Sequence, residues 1–217
     1  MTDYDSMIQH LKNTESEVIA KELAGGEMML GRMVPRFEKN CIPKFQDLAW
    51  QYSKKLIRIT SLTDFDAFHW DFIAVFCQRI RSKDGEAASY GEAQKPINLF
   101  LKSYVDRFAV LGEVVTRRLR PFLHVPLDSV IIGYFRSNFR KDYDRHIAPV
   151  HRQINQLMKV QHPEVSANMP DGLLSQLQYL QENEYLAWQN WFREIYPERP
   201  VLIDNLWFFE RPKAKSS

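Results

Sequence analysis

Two residues stand out for the chemistry they could do. Lys95 lies between Gly91 and Pro96, and Asp128 follows Val125, Pro126 and Leu127. Gly91 predicts a tight turn. Pro96 falls where a helix would begin, a place proline tolerates because first-turn amides have no intrahelical partner. Leu99, Phe100, Tyr104 and Phe108 follow at helical intervals, which predicts a helix over residues 96–108 with Lys95 at or next to its first turn. Asp128 can cap a second helix, whose apolar side holds Ile131, Tyr134 and Phe135. A neutral lysine amine can attack an electrophilic carbon and form a Schiff base. A fixed carboxylate can stabilise developing positive charge and accept a proton. The partial positive charge of a helix N-terminus disfavours an ammonium and so helps supply the neutral amine.

Residues 89–101 read Ser-Tyr-Gly-Glu-Ala-Gln-Lys-Pro-Ile-Asn-Leu-Phe-Leu, and residues 123–130 read Leu-His-Val-Pro-Leu-Asp-Ser-Val. This pair of segments resembles the helix-hairpin-helix DNA glycosylases, whose signature is a Gly-x-Gly-x-Lys turn entering a helix and then Val-Pro-Val-Asp. Gly91 matches the first hairpin glycine, Ala93 stands at the second, Lys95 at the lysine nucleophile of the bifunctional members, and Asp128 at the aspartate. The 33 positions separating Lys95 from Asp128 resemble the spacing of the archaeal 8-oxoguanine glycosylases.

That resemblance implies a DNA glycosylase with associated AP-lyase activity, removing a damaged or modified base through a lysine Schiff base, with no cofactor. Its implied partner is double-stranded DNA with the target nucleotide flipped out of the stack. Gly91, Ala93 and Gln94 would offer backbone amides to a phosphate, and Arg117, Arg118, Arg136, Arg140 and Lys141 would extend the contact along the strand. Trp70, Trp188, Trp191 and Trp207 are the candidate walls of a base pocket. Two bland readings stand beside these: Asp142 and Asp144 interrupt the basic run as on a solvated face, and Trp188, Trp191, Phe192 and Tyr196 share the spacing of a core stripe. Two further functions fit the chain, a non-catalytic helical nucleic-acid-binding module and a helical protein-interaction or regulatory protein.

The elements that would position these residues are helical throughout. Ile8, Leu11, Val18, Ile19 and Leu23 mark a stripe expected to end at Gly25 and Gly26, and Pro35 and Pro43 bracket a short segment around Phe37 and Cys41. A helix is expected over residues 45–59. Ser61, Thr63 and Asp64 then offer N-caps to the apolar series Phe68, Phe72, Ile73, Phe76 and Ile80. Residues 81–89 read as a loop. Gly112 and Pro121 flank a short helix, residues 162–172 read as a loop, and a last helix is expected over residues 173–195, with Pro197 and Pro200 stopping it. Period-two alternation is missing, so β structure should be minor. The expected fold is all-α: one compact multi-helix domain over 1–212, divisible into lobes 1–85 and 86–212 with a cleft between them, then a disordered tail over 213–217.

Composition removes several alternatives. Lys and Arg total 29 against 27 Asp and Glu, so charge alone announces no nucleic-acid partner. Cys41 and Cys77 are too few for a disulfide framework and form no Cys-x-x-Cys, which fits a reducing compartment. His146 and His151 are off the i, i+4 spacing of paired helical ligands, so no metal is expected. Residues 1–12 are polar and no apolar run reaches bilayer length, so no membrane partner is expected and a cytoplasmic or nucleoid-associated location is.

Overall fold

The computed structural model describes residues 3–161 and 180–206. Among these the fold is all-α, with isolated bridges at Phe37–Ser82 and Arg81–Ala87 in place of strands. The helices are α1 (Asp3–Leu30), α2 (Cys41–Ser53), α3 (Leu62–Arg79), α4 (Tyr90–Leu101), α5 (Glu113–Leu119), α6 (Ser129–Asn138), α7 (Arg140–His146), α8 (Ala148–Gln161) and α9 (Glu182–Ile195). A π-helical stretch, Lys102–Arg107, continues α4, and a 3-10 turn at Pro200–Asn205 follows α9. No helix among the described residues is long and apolar enough to cross a membrane.

Side-chain caps explain the starts of α3, α4 and α6. Ser61, one of the three expected N-cap candidates, accepts the amide of Asp64, whose carboxylate returns to the Ser61 amide, so α3 opens with a capping box. Asp128 caps α6 through the amides of Val130 and Ile131, also as expected. Three expectations are corrected. The glycines at 25 and 26 do not stop α1, which runs on to Leu30. Gly25 passes so close to α2 that a Cβ there would sit 2.8 Å from Gln46 Nε2, so the residue serves close packing. Helix α2 begins at Cys41, with Pro43 in its first turn. Helix α4 begins at Tyr90, six residues before Pro96, because Ser89 and Glu92 form a second capping box: the Glu92 amide bonds Ser89 Oγ at 3.3 Å and its carboxylate accepts the Ser89 amide at 3.0 Å. Of the last helix, residues 173–179 lie outside the described residues, as do the loop at 162–172 and the tail at 213–217.

The described residues divide into two compact units, one within Met1–Ala88 and Pro96–Leu123, the other within Ser89–Lys95 and His124–Ser217. The boundary is therefore not a single cut near residue 85: the chain leaves the first unit at 89, returns to it for 96–123 and leaves again. Helix α4 gives its first half to the second unit and the remainder to the first.

The first unit is built on aromatic rings from three helices, α2, α3 and α4. Phe45, Phe72, Phe76 and Phe100 are fully buried, and Tyr52 stacks on Phe72 with ring centres 4.2 Å apart. The second unit has its own core, in which Phe135 of α6 meets Trp188, Trp191 and Phe192 of α9, with ring centres 5.0–6.4 Å apart. Rings at these separations add edge and stacking attraction to the area they bury.

Candidate functional site

The second unit contains both residues of the predicted pair. Lys95 comes from α4 and Asp128 from the cap of α6, and Lys95 Nζ donates to Asp128 Oδ2 at 3.1 Å. Oδ1 of the same carboxylate accepts the amides of Val130 and Ile131, each at 3.0 Å. The two oxygens are thus divided: one holds the helix, the other holds the amine. Lys95 keeps 16% of its side chain exposed and Asp128 9%, so both members of the pair are largely shielded from water.

The segment that carries Asp128 is extended and held from two helices. Gln94, one residue before Lys95, donates its side-chain amide to the Leu127 carbonyl at 2.9 Å and accepts the Leu127 amide at 3.1 Å. Gln189 of α9 does the same for Val125, accepting its amide at 2.8 Å and donating to its carbonyl at 3.0 Å. Each glutamine replaces the strand neighbour that an extended backbone would otherwise need, and both are fully shielded from water. Pro126, between them, has no N–H to satisfy.

His124 adds a third anchor. Its Nε2 lies 2.6 Å from Arg193 Nη2 and its Nδ1 lies 2.8 Å from the Tyr185 hydroxyl. A guanidinium only donates, so Nε2 accepts, the ring proton sits on Nδ1, and it goes to the tyrosine oxygen. The Tyr185 ring in turn meets Tyr90 of α4 edge to face at 5.4 Å. Four side chains from α4 and α9 therefore fix the route into Asp128.

Several predicted roles are changed by this arrangement. Gly91 lies in the first turn of α4 and not in a turn before it, and the helix-hairpin-helix motif is not shown among the described residues. Gly91, Ala93 and Gln94 are buried, so they offer no amides to a phosphate; Gln94 is spent on Leu127. Lys95 sits in the second turn of α4, beyond the reach of the N-terminal partial charge, so that source of a neutral amine is removed. The amine is paired with a carboxylate instead.

The predicted cations are divided between the units. Arg117 and Arg118 are in the first; Arg136, Arg140 and Lys141 are in the second. Arg140 bonds Asp144 at 3.1 Å, and the Arg136 and Arg140 guanidinium groups lie 6.0 and 5.7 Å from the Tyr143 ring. Trp188 is fully buried and Trp191 nearly so, which makes them core and not a stacking platform. Trp191 also borders an apolar cavity of about 510 Å³ with Tyr134, Phe139 and Ile195. That cavity sits toward the C-terminal end of α6, roughly 10 Å along the helix from its Asp128 cap at about 1.5 Å per residue, so it does not adjoin the amine. Trp70 is half exposed in the first unit, and Trp207 lies outside the described residues.

The second unit holds one more ionisable group that no sequence motif pointed to. Glu184 of α9 is almost fully buried, and burial pushes its carboxyl up to about 8. Its Oε1 finds no hydrogen bond among the described residues and lies 3.8 Å from His151 Nδ1. No group of three or more His, Cys, Asp or Glu able to hold a metal occurs among the described residues. Comparison of the chain with protein-family models, with curated proteins and with solved structures returned no significant match.

Proposed function

We propose that this chain is a DNA glycosylase with associated AP-lyase activity, in which Lys95 attacks the sugar and Asp128 manages the proton and the charge. The observation that carries the reading is the 3.1 Å contact of Lys95 Nζ with Asp128 Oδ2, in a frame set by Gln94, Gln189 and His124. Support also comes from the order of the two residues in segments that resemble the glycosylases. The proposal does without phosphate binding at the glycine turn.

The resting pair is an ammonium bonded to a carboxylate, and an ammonium has no lone pair to attack with. Asp128 Oδ2 is the proton acceptor already in contact. As the bond between base and sugar lengthens, its electron pair leaves with the base and positive charge grows at C1′. Transfer of one Lys95 proton to Oδ2 frees the amine to form the C–N bond at that carbon. The departing base takes up a proton, the sugar ring opens to the Schiff base, and loss of a C2′ proton then expels the 3′ phosphate. Asp128 suits the first step because its free oxygen is aimed while the other is pinned by two amides, so little reorganisation remains at the moment of reaction.

DNA carrying an abasic site tests the reading without knowledge of the target base. Borohydride should trap a covalent complex with the wild-type chain, Lys95→Ala should abolish it, and Asp128→Asn should slow it at least a hundredfold, on the order of a lost general base. No adduct on abasic DNA, or an undiminished adduct in Lys95→Ala, refutes the assignment.

A further inference from the structure

The first unit carries a cationic shelf outside the proposed reaction centre, and we infer that it grips the phosphodiester backbone of a nucleic acid. Lys54, Lys55 and Arg58 follow the end of α2, and Arg118 of α5 joins them by donating Nη2 to the Ile57 carbonyl at 2.8 Å. Lys54 and Lys55 sit where cations offset the dipole of α2, which accounts for their presence without any ligand. Arg118 likewise lies in the last turn of α5, while Arg58 ends only a three-residue 3-10 turn, Leu56–Arg58. Lys55 is answered by Asp71 at 3.0 Å, whereas Lys54, Arg58 and Arg118 have no carboxylate partner among the described residues.

Geometry holds these charges in place. Lys54 Nζ lies 4.0 Å over the Trp50 ring, and the Arg118 guanidinium is tied to a carbonyl, which orients it without neutralising it. Ile57, 57% exposed, stands among them as an apolar contact. Uncompensated cations around an exposed aliphatic side chain match a polymer that alternates anionic phosphates with apolar sugar faces, and they match a run of carboxylates less well. A second cationic group in the same unit, Arg36, Lys39 and Lys83, is interleaved with Glu38, Asp84 and Glu86. It serves as the internal comparison.

This inference takes its ligand from the proposed function, but it fails separately. Binding of duplex DNA with an abasic site is measured by anisotropy from 0.05 to 0.3 M salt for wild type, for Lys54→Gln with Arg58→Gln, and for Lys39→Gln with Lys83→Gln. Loss of two phosphate contacts should lower the slope of log affinity against log salt by about 1.8 and weaken binding on the order of 50-fold at 0.1 M. The comparison pair should leave both unchanged. An unchanged slope in the shelf variant, or an equal fall in the comparison variant, overturns the inference. So does displacement of DNA by polyglutamate as readily as by unlabelled DNA, which would make the shelf an acidic-protein site. If the shelf variant weakens binding while wild type traps no adduct, the shelf stands and the lyase reading falls. If adducts form but the shelf variant binds as wild type does, the reverse holds.

Discussion

Replacing Glu184 with glutamine should make the protein more stable at high pH. Burial raises the carboxyl from its ordinary 4.5 to about 8, so the folded chain holds this proton far more tightly than the unfolded chain does. Below pH 4.5 both states are protonated and the native carboxyl is neutral, which is the favourable condition. Between 4.5 and about 8 the unfolded state loses its proton while the native state keeps it, and stability falls with rising pH. Above that range the native structure must hold a buried carboxylate near His151 of α8, Tyr143 of α7 and Trp188 of its own helix. At about 1.4 kcal/mol for each tenfold difference in proton affinity, the whole span amounts to an effect on the order of 5 kcal/mol. Glutamine has nearly the same shape and cannot ionise. Urea denaturation of wild type and Glu184→Gln from pH 4.5 to 9, with hydrogen exchange of the α9 amides, measures the difference. The variant should lose less stability across that range and exceed wild type by several kcal/mol at pH 9. Parallel pH profiles for the two proteins would refute the reasoning.

Three other perturbations test the frame of the site and the packing around it. Asp128→Asn keeps a good cap for α6, whereas Asp128→Ala removes it, so in urea the alanine variant should be less stable than the asparagine variant by about 1 kcal/mol. Gln94→Leu and Gln189→Leu each strand a buried amide and a buried carbonyl; a cost of about 1–3 kcal/mol per orphaned group predicts roughly 2–6 kcal/mol for each variant. Gln94→Leu should also slow borohydride trapping at a denaturant-free pH where the fold is intact, since Leu127 immediately precedes Asp128. Gly26→Ala and Gly133→Ala meet no atom within 4 Å and should raise the thermal midpoint through roughly 1 kcal/mol of helix propensity each, while Gly25→Ala, whose Cβ meets Gln46 Nε2, should gain nothing.

What the sequence made legible divides by the range of the interaction. The cap of α6 at Asp128 and the capping box at Ser61 and Asp64 are bonds between residues two or three apart, so residue types and spacing suffice to find them. The start of α4 was open to the same reading. Ser89 and Glu92 have the capping-box spacing, but Gly91 and Pro96 carry stronger conventional meanings, and those meanings moved the expected start six residues downstream. Ser89 and Glu92 close the first turn, so the helix already runs when it reaches Pro96, which lies inside it without an N–H to bond the Glu92 carbonyl. The glycines of α1 mislead for a related reason: the sequence displays a helix stop, while the fold uses Gly25 to admit Gln46.

The pair of Lys95 and Asp128 was legible as two helix-associated residues in the right order, and its frame was not. Gln94 and Leu127 are 33 residues apart, and Gln189 and Val125 are 64. Nothing local in a glutamine says that it will stand in for a missing strand. The distinction matters for how the site works. A lysine made neutral by a helix terminus would be a standing nucleophile, ready before substrate arrives. Under the proposed function, a lysine bonded to Asp128 Oδ2 attacks only once a proton moves to that oxygen, which would couple attack to the growth of charge on the sugar. A fixed Oδ2 is essential to such coupling, and fixing it is what Gln94, Gln189 and the two amides of α6 accomplish. The long-range contacts that sequence could not reveal are therefore the ones that hold Asp128 against Lys95, the arrangement on which the proposed function depends.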